Sequence, residues 1–271
     1  MVVTNLQQRL ITAFVLLPVV LCATWFDRPI LWLTPAVVTW GVLALVEFLG
    51  LVKANDSRIK PLVVIGVIWT AALIISPHFS SHISQFNVFA IGAVAGLGSL
   101  LFKKDKAHAF LSWAWTTAGV IWTGFFLSYL ITLRLLPDGA GWLMLAFCAT
   151  FVSDTMAFFV GSLIGKRRLA PSISPSKTWE GAAGGFLGAI VISVLAVLIL
   201  KLPIGWVEAV ILGALVSVVG QCGDLVESIF KRNMNTKDSG KSVPGHGGYL
   251  DRMDSVVFAV IVVYYYVVWL V

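Results

Sequence analysis

The densest set of chemical groups in this chain lies between Ser228 and Asp254, where the sequence reads SIFKRNMNTKDSGKSVPGHGGYLDRMD. It holds the cations Lys231, Arg232, Lys237, Lys241 and Arg252, the carboxylates Asp238, Asp251 and Asp254, and His246 among four glycines and a proline. Strongly apolar stretches flank it on both sides. Charge beside hydrocarbon is costly unless it binds something, and cations next to carboxylates suit a polyphosphate that arrives with a metal ion. Just upstream, Asp224 and Glu227 are three residues apart and share one helix face, and Asp251 and Asp254 repeat that spacing. If the two spans that carry them are neighbours, four carboxylates converge at one rim. Such a hard-oxygen set suits Mg2+ held together with waters and substrate phosphate. Asp154 joins the candidates as a further intramembrane acid. The plainer alternative is ion pairing with Lys231, Arg232 and Arg252.

A second polar segment, GKRRLAPSISPSKTWEG, covers residues 165–181. Ser174-Pro175 has the form of a helix N-cap followed by proline at the first helical position. That would put Ser176, Lys177 and Thr178 in a first turn whose free N–H groups favour phosphate. Lys166, Arg167 and Arg168 read as anchors at a membrane surface. Gly245-His246-Gly247-Gly248 permits close approach of backbone to a ligand. His246 then holds a phosphate oxygen or a metal-bound water, or it is a structural residue of a tight turn. Ser239-Gly240-Lys241-Ser242 imitates the end of a P-loop. However, Asn235 stands where the first glycine belongs, and an apolar helix precedes it in place of a strand, which excludes that reading.

These groups need a scaffold, and composition supplies its class. The chain of 271 residues is 59% hydrophobic and 12% charged, with a mean hydropathy of +0.94. A soluble domain carries about twice that charge. The expected fold is therefore all-α, a polytopic membrane protein of about nine transmembrane helices. The apolar spans are Leu10–Phe26, Ile30–Val52, Pro61–Ser76, Phe86–Phe102, Ala109–Thr132, Trp142–Gly165, Gly181–Leu200, Trp206–Phe230 and Ser255–Leu270. Each approaches or exceeds the roughly 20 residues that cross a bilayer core, and in lipid the backbone must satisfy itself, so they should be helices. The third, fourth and ninth are short. Residues 1–140 are expected to form N-terminal membrane helices, and residues 141–271 the membrane helices that carry the candidate catalytic groups, with cytoplasmic loops at 166–180 and 231–254. Leu10–Phe26 reads as a retained first helix.

Sixteen of the nineteen cations fall on the N-terminus and the even-numbered loops. By the positive-inside rule those loops are cytoplasmic and the C-terminus is outside, and the expected location is the cell inner (cytoplasmic) membrane. Trp25, Trp32, Trp142, Trp206 and Trp269 fall near the outer ends, where indoles favour the interface. The net charge of +6 then reflects topology and an anionic lipid surface, with no call for nucleic acid. Cys22, Cys148 and Cys222 have no metal-like spacing and read as buried apolar thiols. Glu47 is the one intramembrane carboxylate of the first half and reads as a snorkelling or helix-paired residue. Gly181/Gly185 and Gly184/Gly188 are small-xxx-small pairs, primarily a packing signal that also leaves room for a homodimer.

The pattern S-x-x-K-R-x4-K-D followed by P-G-H-G-G-x-x-D-R-x-D resembles the signature of the phosphatidate cytidylyltransferases. It is carried by Ser228, Lys231, Arg232, Lys237, Asp238, Pro244, His246, Gly247, Gly248, Asp251, Arg252 and Asp254. Gly223-Asp224-Leu225-x-Glu227-Ser228, Leu169-Ala170-Pro171, Ser174-Pro175-Ser176-Lys177-Thr178-Trp179 and Ser153-Asp154-Thr155 are similar to that family too. Detail extends from about Trp142 to Val271, and the earlier half matches only in hydropathy. Val243 stands where a larger aliphatic or Phe is common, and Tyr249 replaces an aliphatic. The resemblance implies that phosphatidate attacks the α-phosphorus of CTP, giving CDP-diacylglycerol and pyrophosphate with Mg2+; a second, monovalent cation is compatible with so acidic a site. It implies Asp224 and Asp251 as metal ligands, with Glu227, Asp254 and Asp154 in support. Lys231 and His246 would act at the reacting phosphates. Ser174, Ser176, Lys177, Thr178, Arg232, Lys237 and Arg252 would bind the triphosphate or the lipid headgroup.

Two other classes compete. A CTP-dependent lipid kinase would combine the same parts but transfer the γ-phosphoryl group and release CDP. A secondary transporter would place acids near the midplane between inverted repeats, and no such repeat is visible here.

Overall fold

The computed structural model describes residues 24–25, 31–79, 83–240, 242 and 247–271. Most of the span expected at Leu10–Phe26, and with it Cys22, lies outside the described residues, as do Lys241 and His246. The described chain forms two compact units, one of Met1–Leu135 with Met234–Arg252, the other of Leu136–Asn233 with Met253–Val271.

In the first unit, helix α1 (Leu33–Asn55) is followed by α2 (Val63–Ile75), α3 (Gln85–Ser99) and α4 (Ala109–Val120). A π-helical turn (Ile121–Phe126) runs on without a break into α5 (Leu127–Arg134). Leu45, Phe48, Leu49, Leu73, Ile74, Val120, Leu127 and Ile131 are almost completely buried and form its core. The π turn sits where α1 comes very close: a Cβ on Gly41 would stand 2.6 Å from the Thr123 carbonyl oxygen. Ser84 caps α3 by accepting the Asn87 N–H at 3.2 Å. A concavity of about 170 Å3 between the α1–α2 and α3–α4 connections is lined by Arg58, Lys60, Lys103, Lys104, Asp105, His108 and Ser112. At its edge the Arg58 side chain, hydrogen-bonded to Asp56, holds that carboxyl down to about 2.

The second unit packs α6 (Gly139–Ile164), α7 (Trp179–Leu200), α8 (Trp206–Asn233) and α9 (Asp254–Leu270). The glycines of α7 are needed because α6 lies almost backbone to backbone against it. A Cβ on Gly181 would come within 2.7 Å of the Ala157 oxygen, and one on Gly185 within 2.8 Å of the Ser153 oxygen. The small-residue face of α7 is thus covered within the chain by α6. Ser153 and Ser217 share a hydrogen bond of 2.9 Å across α6 and α8, and Gln221 donates to Ser217 at 2.9 Å and to the Ala182 carbonyl at 3.3 Å. These bonds satisfy polar groups that an apolar bundle would otherwise leave stranded.

Six helical segments among the described residues are long and apolar enough to cross a membrane: 33–55, 85–102, 109–134, 139–164, 179–200 and 206–233. The chain is a multi-pass membrane protein of mainly helical fold. The expected third and ninth spans fall short of that length, at 63–79 and 254–270. At 1.5 Å per residue the 17 residues of α9 reach about 25 Å, a little less than the hydrocarbon core. Among the described residues a two-stranded antiparallel hairpin, β1 (Arg168–Ala170) with β2 (Ser174–Thr178), departs from the helical fold. Two details differ from the sequence expectation. Cys222 lies on the outer face of α8 and Cys148 is only half-buried, positions where an apolar thiol meets lipid as readily as protein.

Candidate active site

The hairpin reorganises the segment expected to start a helix at Ser174. Ser174–Thr178 is strand, pairing Arg168 with Thr178 and Ala170 with Ser174, and α7 begins only at Trp179. The cap is Thr178, whose Oγ1 accepts the Gly181 N–H at 3.1 Å. Pro175 is tolerable here because a hairpin edge asks for fewer N–H donors than a helix interior. Glu180, in the first turn of α7, accepts the N–H groups of Lys166 and Arg167 at 3.1–3.3 Å and clamps the hairpin base to the helix. Consequently Ser174 and Ser176 lie on a strand, with Ser176 exposed, while Thr178 is buried. Lys177 projects from the strand and its amine contacts Asp224 Oδ2 of α8. The expected helical turn is therefore absent, yet the lysine it was to carry meets a carboxylate.

One helical turn beyond Asp224, Glu227 is completely buried and its Oε1 lies 3.2 Å from the Lys231 amine, an i,i+4 pair. Arg232 donates through Nε to the Ile173 carbonyl at 3.2 Å, tying the end of α8 to the hairpin turn. Asp254 opens α9, and a Cβ at Gly223 would collide with its carbonyl oxygen, so α8 and α9 are close neighbours. The two helices that carry Asp224, Glu227 and Asp254 are thus neighbours, as the sequence reading required of them. Asp154, on α6, is exposed at the surface of the chain. Among the described residues no three His, Cys, Asp or Glu side chains stand together as a metal-holding group.

Asp251 belongs to the first unit and is treated differently. It is buried, and its Oδ2 accepts three hydrogen bonds: from Gly248 N–H at 2.8 Å, Ser239 N–H at 3.0 Å and Ser239 Oγ–H at 2.9 Å. Gly247 adopts φ +85°, and a Cβ there would be 2.5 Å from the same carboxylate oxygen. The turn before Asp251 is built around its carboxyl group, and only glycine fits at that point. Lys237, Asp238 and Arg252 are exposed on the same segment.

The described residues of this segment, 234–240 and 247–252, meet α1 at three levels. Asn235 donates to Asn55 Oδ1 at 2.9 Å. Glu47 Oε2 accepts from Ser239 Oγ at 3.3 Å and from Leu250 N–H at 3.1 Å. Trp40 Nε1 donates to the Tyr249 carbonyl at 3.0 Å. Residues 40, 47 and 55 fall on one side of a 3.6-residue helix. The contact level at Glu47, next to Asp251, is eight residues, about 12 Å, along α1 from the one at Asn55. Glu47 is thus neither snorkelling nor paired with a neighbouring helix; it grips the polar segment. Sequence reasoning passed over Glu47, Ser239 and Trp40 as functional residues, although a polar stripe at a seven- to eight-residue interval on an apolar helix was the available signal.

The sequence pattern of the Cytidylyltransferase family matches residues 7–270. Curated relatives include the phosphatidate cytidylyltransferase of Bacillus subtilis, 34% identical over 86% of this chain and 87% of the relative. That of Brucella abortus is 34% identical over 96% and 93% of the two chains. That of Thermotoga maritima is 32% identical over 96% and 95%.

Proposed function

This chain belongs to the Cytidylyltransferase family, and from that premise we propose that it transfers the cytidylyl group of CTP to phosphatidate. A phosphate oxygen of phosphatidate attacks the α-phosphorus of CTP, the bond from that phosphorus to the bridging oxygen breaks, and pyrophosphate leaves with CDP-diacylglycerol remaining. The phosphate monoester is already anionic at neutral pH, so the protein needs to neutralise charge and align the groups rather than to supply a strong base. The observation that carries the reading is the set of cations placed against acids on α8 of the second unit, Lys177 on Asp224 and Lys231 on buried Glu227; in the first unit, a buried Asp251 is separately oriented by three donors.

Lys177, Lys231, Arg232, Lys237 and Arg252 are assigned to the triphosphate and the lipid phosphate, with Ser174, Ser176 and Thr178 on the same hairpin. His246 is assigned to a phosphate oxygen. The carboxylates Asp224 and Asp251, with Glu227, Asp254 and Asp154 in support, are the hard oxygen donors that Mg2+ takes, and the Lys177 amine against Asp224 supports a position that accommodates positive charge. Bound Mg2+ supplies Lewis-acid neutralisation of the developing phosphate charge. The positive-inside distribution supports cytoplasmic placement of both polar loops in a cell inner membrane, so that CTP enters from the cytoplasm and the lipid laterally.

The test uses detergent-purified full chain with phosphatidate, CTP and Mg2+, comparing wild type with Asp224→Asn and Asp251→Asn. We expect pyrophosphate and CDP-diacylglycerol from wild type, and a loss of at least about 100-fold in kcat in each variant, the order seen when a charge-stabilising group is removed. Either variant working at the wild-type rate would remove that aspartate from the site.

A further inference from the structure

We propose that Glu47 is a positioning residue of this reaction, holding Asp251 and the glycine turn before it in place from within helix α1. The inference rests on the assignment of Asp251 to the site made above. A carboxylate inside an apolar helix is disfavoured in a bilayer, so it persists only where polar partners meet it. Glu47 has two such partners, each of which also adjoins or contacts Asp251. It accepts the N–H of Leu250, the residue immediately before Asp251, at 3.1 Å. It also accepts from Ser239 Oγ at 3.3 Å, and the same hydroxyl lies 2.9 Å from Asp251 Oδ2. One hydroxyl proton lies between two carboxylates, so the position of one acid constrains the other.

The surrounding backbone is shaped to this arrangement. A Cβ on Gly240 would stand 2.7 Å from Glu47 Oε1, and one on Gly248 would collide with Glu47 Oε2 and with Ser239 Oγ. Both glycines leave space that the Glu47 carboxyl group fills. Buried non-helical backbone is stable only when its N–H and carbonyl groups are met by protein or by water. Here Gly248 N–H goes to Asp251, Leu250 N–H to Glu47, and the Tyr249 carbonyl to Trp40. The polar stripe of α1 therefore makes the first membrane helices part of the catalytic machinery, with Glu47 acting on the reaction through Asp251.

The experiment compares wild type, Glu47→Ala and Glu47→Gln as full chains in lipid nanodiscs, by two readouts. The first is amide hydrogen exchange without substrate, following Ser239, Gly248 and Leu250 against residues 179–200 of α7 as an internal control. The second is the Mg2+ concentration for half-maximal turnover at saturating CTP and phosphatidate. We expect Glu47→Ala to speed exchange of the three amides about tenfold or more with α7 unchanged. The Mg2+ requirement should rise about 10- to 100-fold, the usual effect of losing a residue that orients a metal ligand, while KM for CTP stays within about twofold. Should Glu47→Ala fail to fold, Glu47→Gln decides. It keeps the volume and one acceptor, and the expected result is a raised Mg2+ requirement with near-normal exchange at Leu250. Unchanged exchange and Mg2+ dependence overturn the proposal, as does loosened exchange with an unchanged Mg2+ dependence, which would make Glu47 a structural strut. Exchange needs no turnover, so an inactive wild type would overturn the reaction assigned above while this first readout still reported on Glu47.

Discussion

At the level of single residues, the two lysine–carboxylate pairs differ in what surrounds them, and so in what their loss costs. Lys177 and Asp224 retain 24% and 31% of their side-chain exposure, whereas Glu227 retains none and Lys231 14%. A partly solvated pair adds about 0–1 kcal/mol to stability, but removing one partner of a buried pair costs about 3–5 kcal/mol because a charge is left in a poor solvent. Lys177→Met is therefore expected to leave the melting temperature nearly unchanged while raising KM for CTP at least about tenfold. Lys231→Met should lower thermal stability markedly as well. Thermal unfolding in detergent beside steady-state kinetics separates the two, and equal losses of stability would contradict the distinction. These residues stood out in the sequence as candidates because intramembrane charge is rare and needs a reason. The pairing was not, because Lys177 and Asp224 are 47 positions apart and only the fold brings them together.

Elements account for the main difference between expectation and structure. Ser174-Pro175 carries the local signal of a helix start, yet the chain pairs residues 168–170 with 174–178 and starts α7 at Trp179, capped by Thr178. The competing gain is visible in the hydrogen bonds: the hairpin ladder, the Trp179 N–H to the Arg167 carbonyl at 2.9 Å, and the Glu180 clamp. A helix begun at Ser174 would lose all of them. Thr178→Ala should accordingly destabilise the protein by about 1 kcal/mol, the usual cost of a lost cap, while Ser174→Ala should not. Denaturation midpoints of the two variants check this, and the reverse order would restore the cap to Ser174. The glycine pairs of α7 were readable as packing signals, and α6 occupies that face. The polar stripe of α1 was visible in the sequence, but the segment it meets was not, since 192 positions separate Glu47 from Ser239.

For the whole molecule, the class of fold followed from composition, because a chain 59% hydrophobic and 12% charged has few alternatives to a helical membrane protein. The number of crossings did not follow, since apolar runs at 63–79 and 254–270 form helices at the margin of the required length. The orientation rests on the lysine and arginine bias. It predicts that a single cysteine at Lys237 reacts with a membrane-impermeant thiol reagent in inverted vesicles and not in intact cells, and that one at Lys201 does the opposite. Labelling of both from the same side would refute that topology.

The reaction itself is tested most directly by the fate of each phosphorus atom of CTP. Purified protein with phosphatidate and Mg2+ would be given CTP labelled at the α-phosphorus in one sample and at the γ-phosphorus in another. Cytidylyl transfer predicts the α label in the lipid product and the γ label in pyrophosphate. The γ label in the lipid, with CDP released, would contradict it and identify a phosphoryl transfer instead.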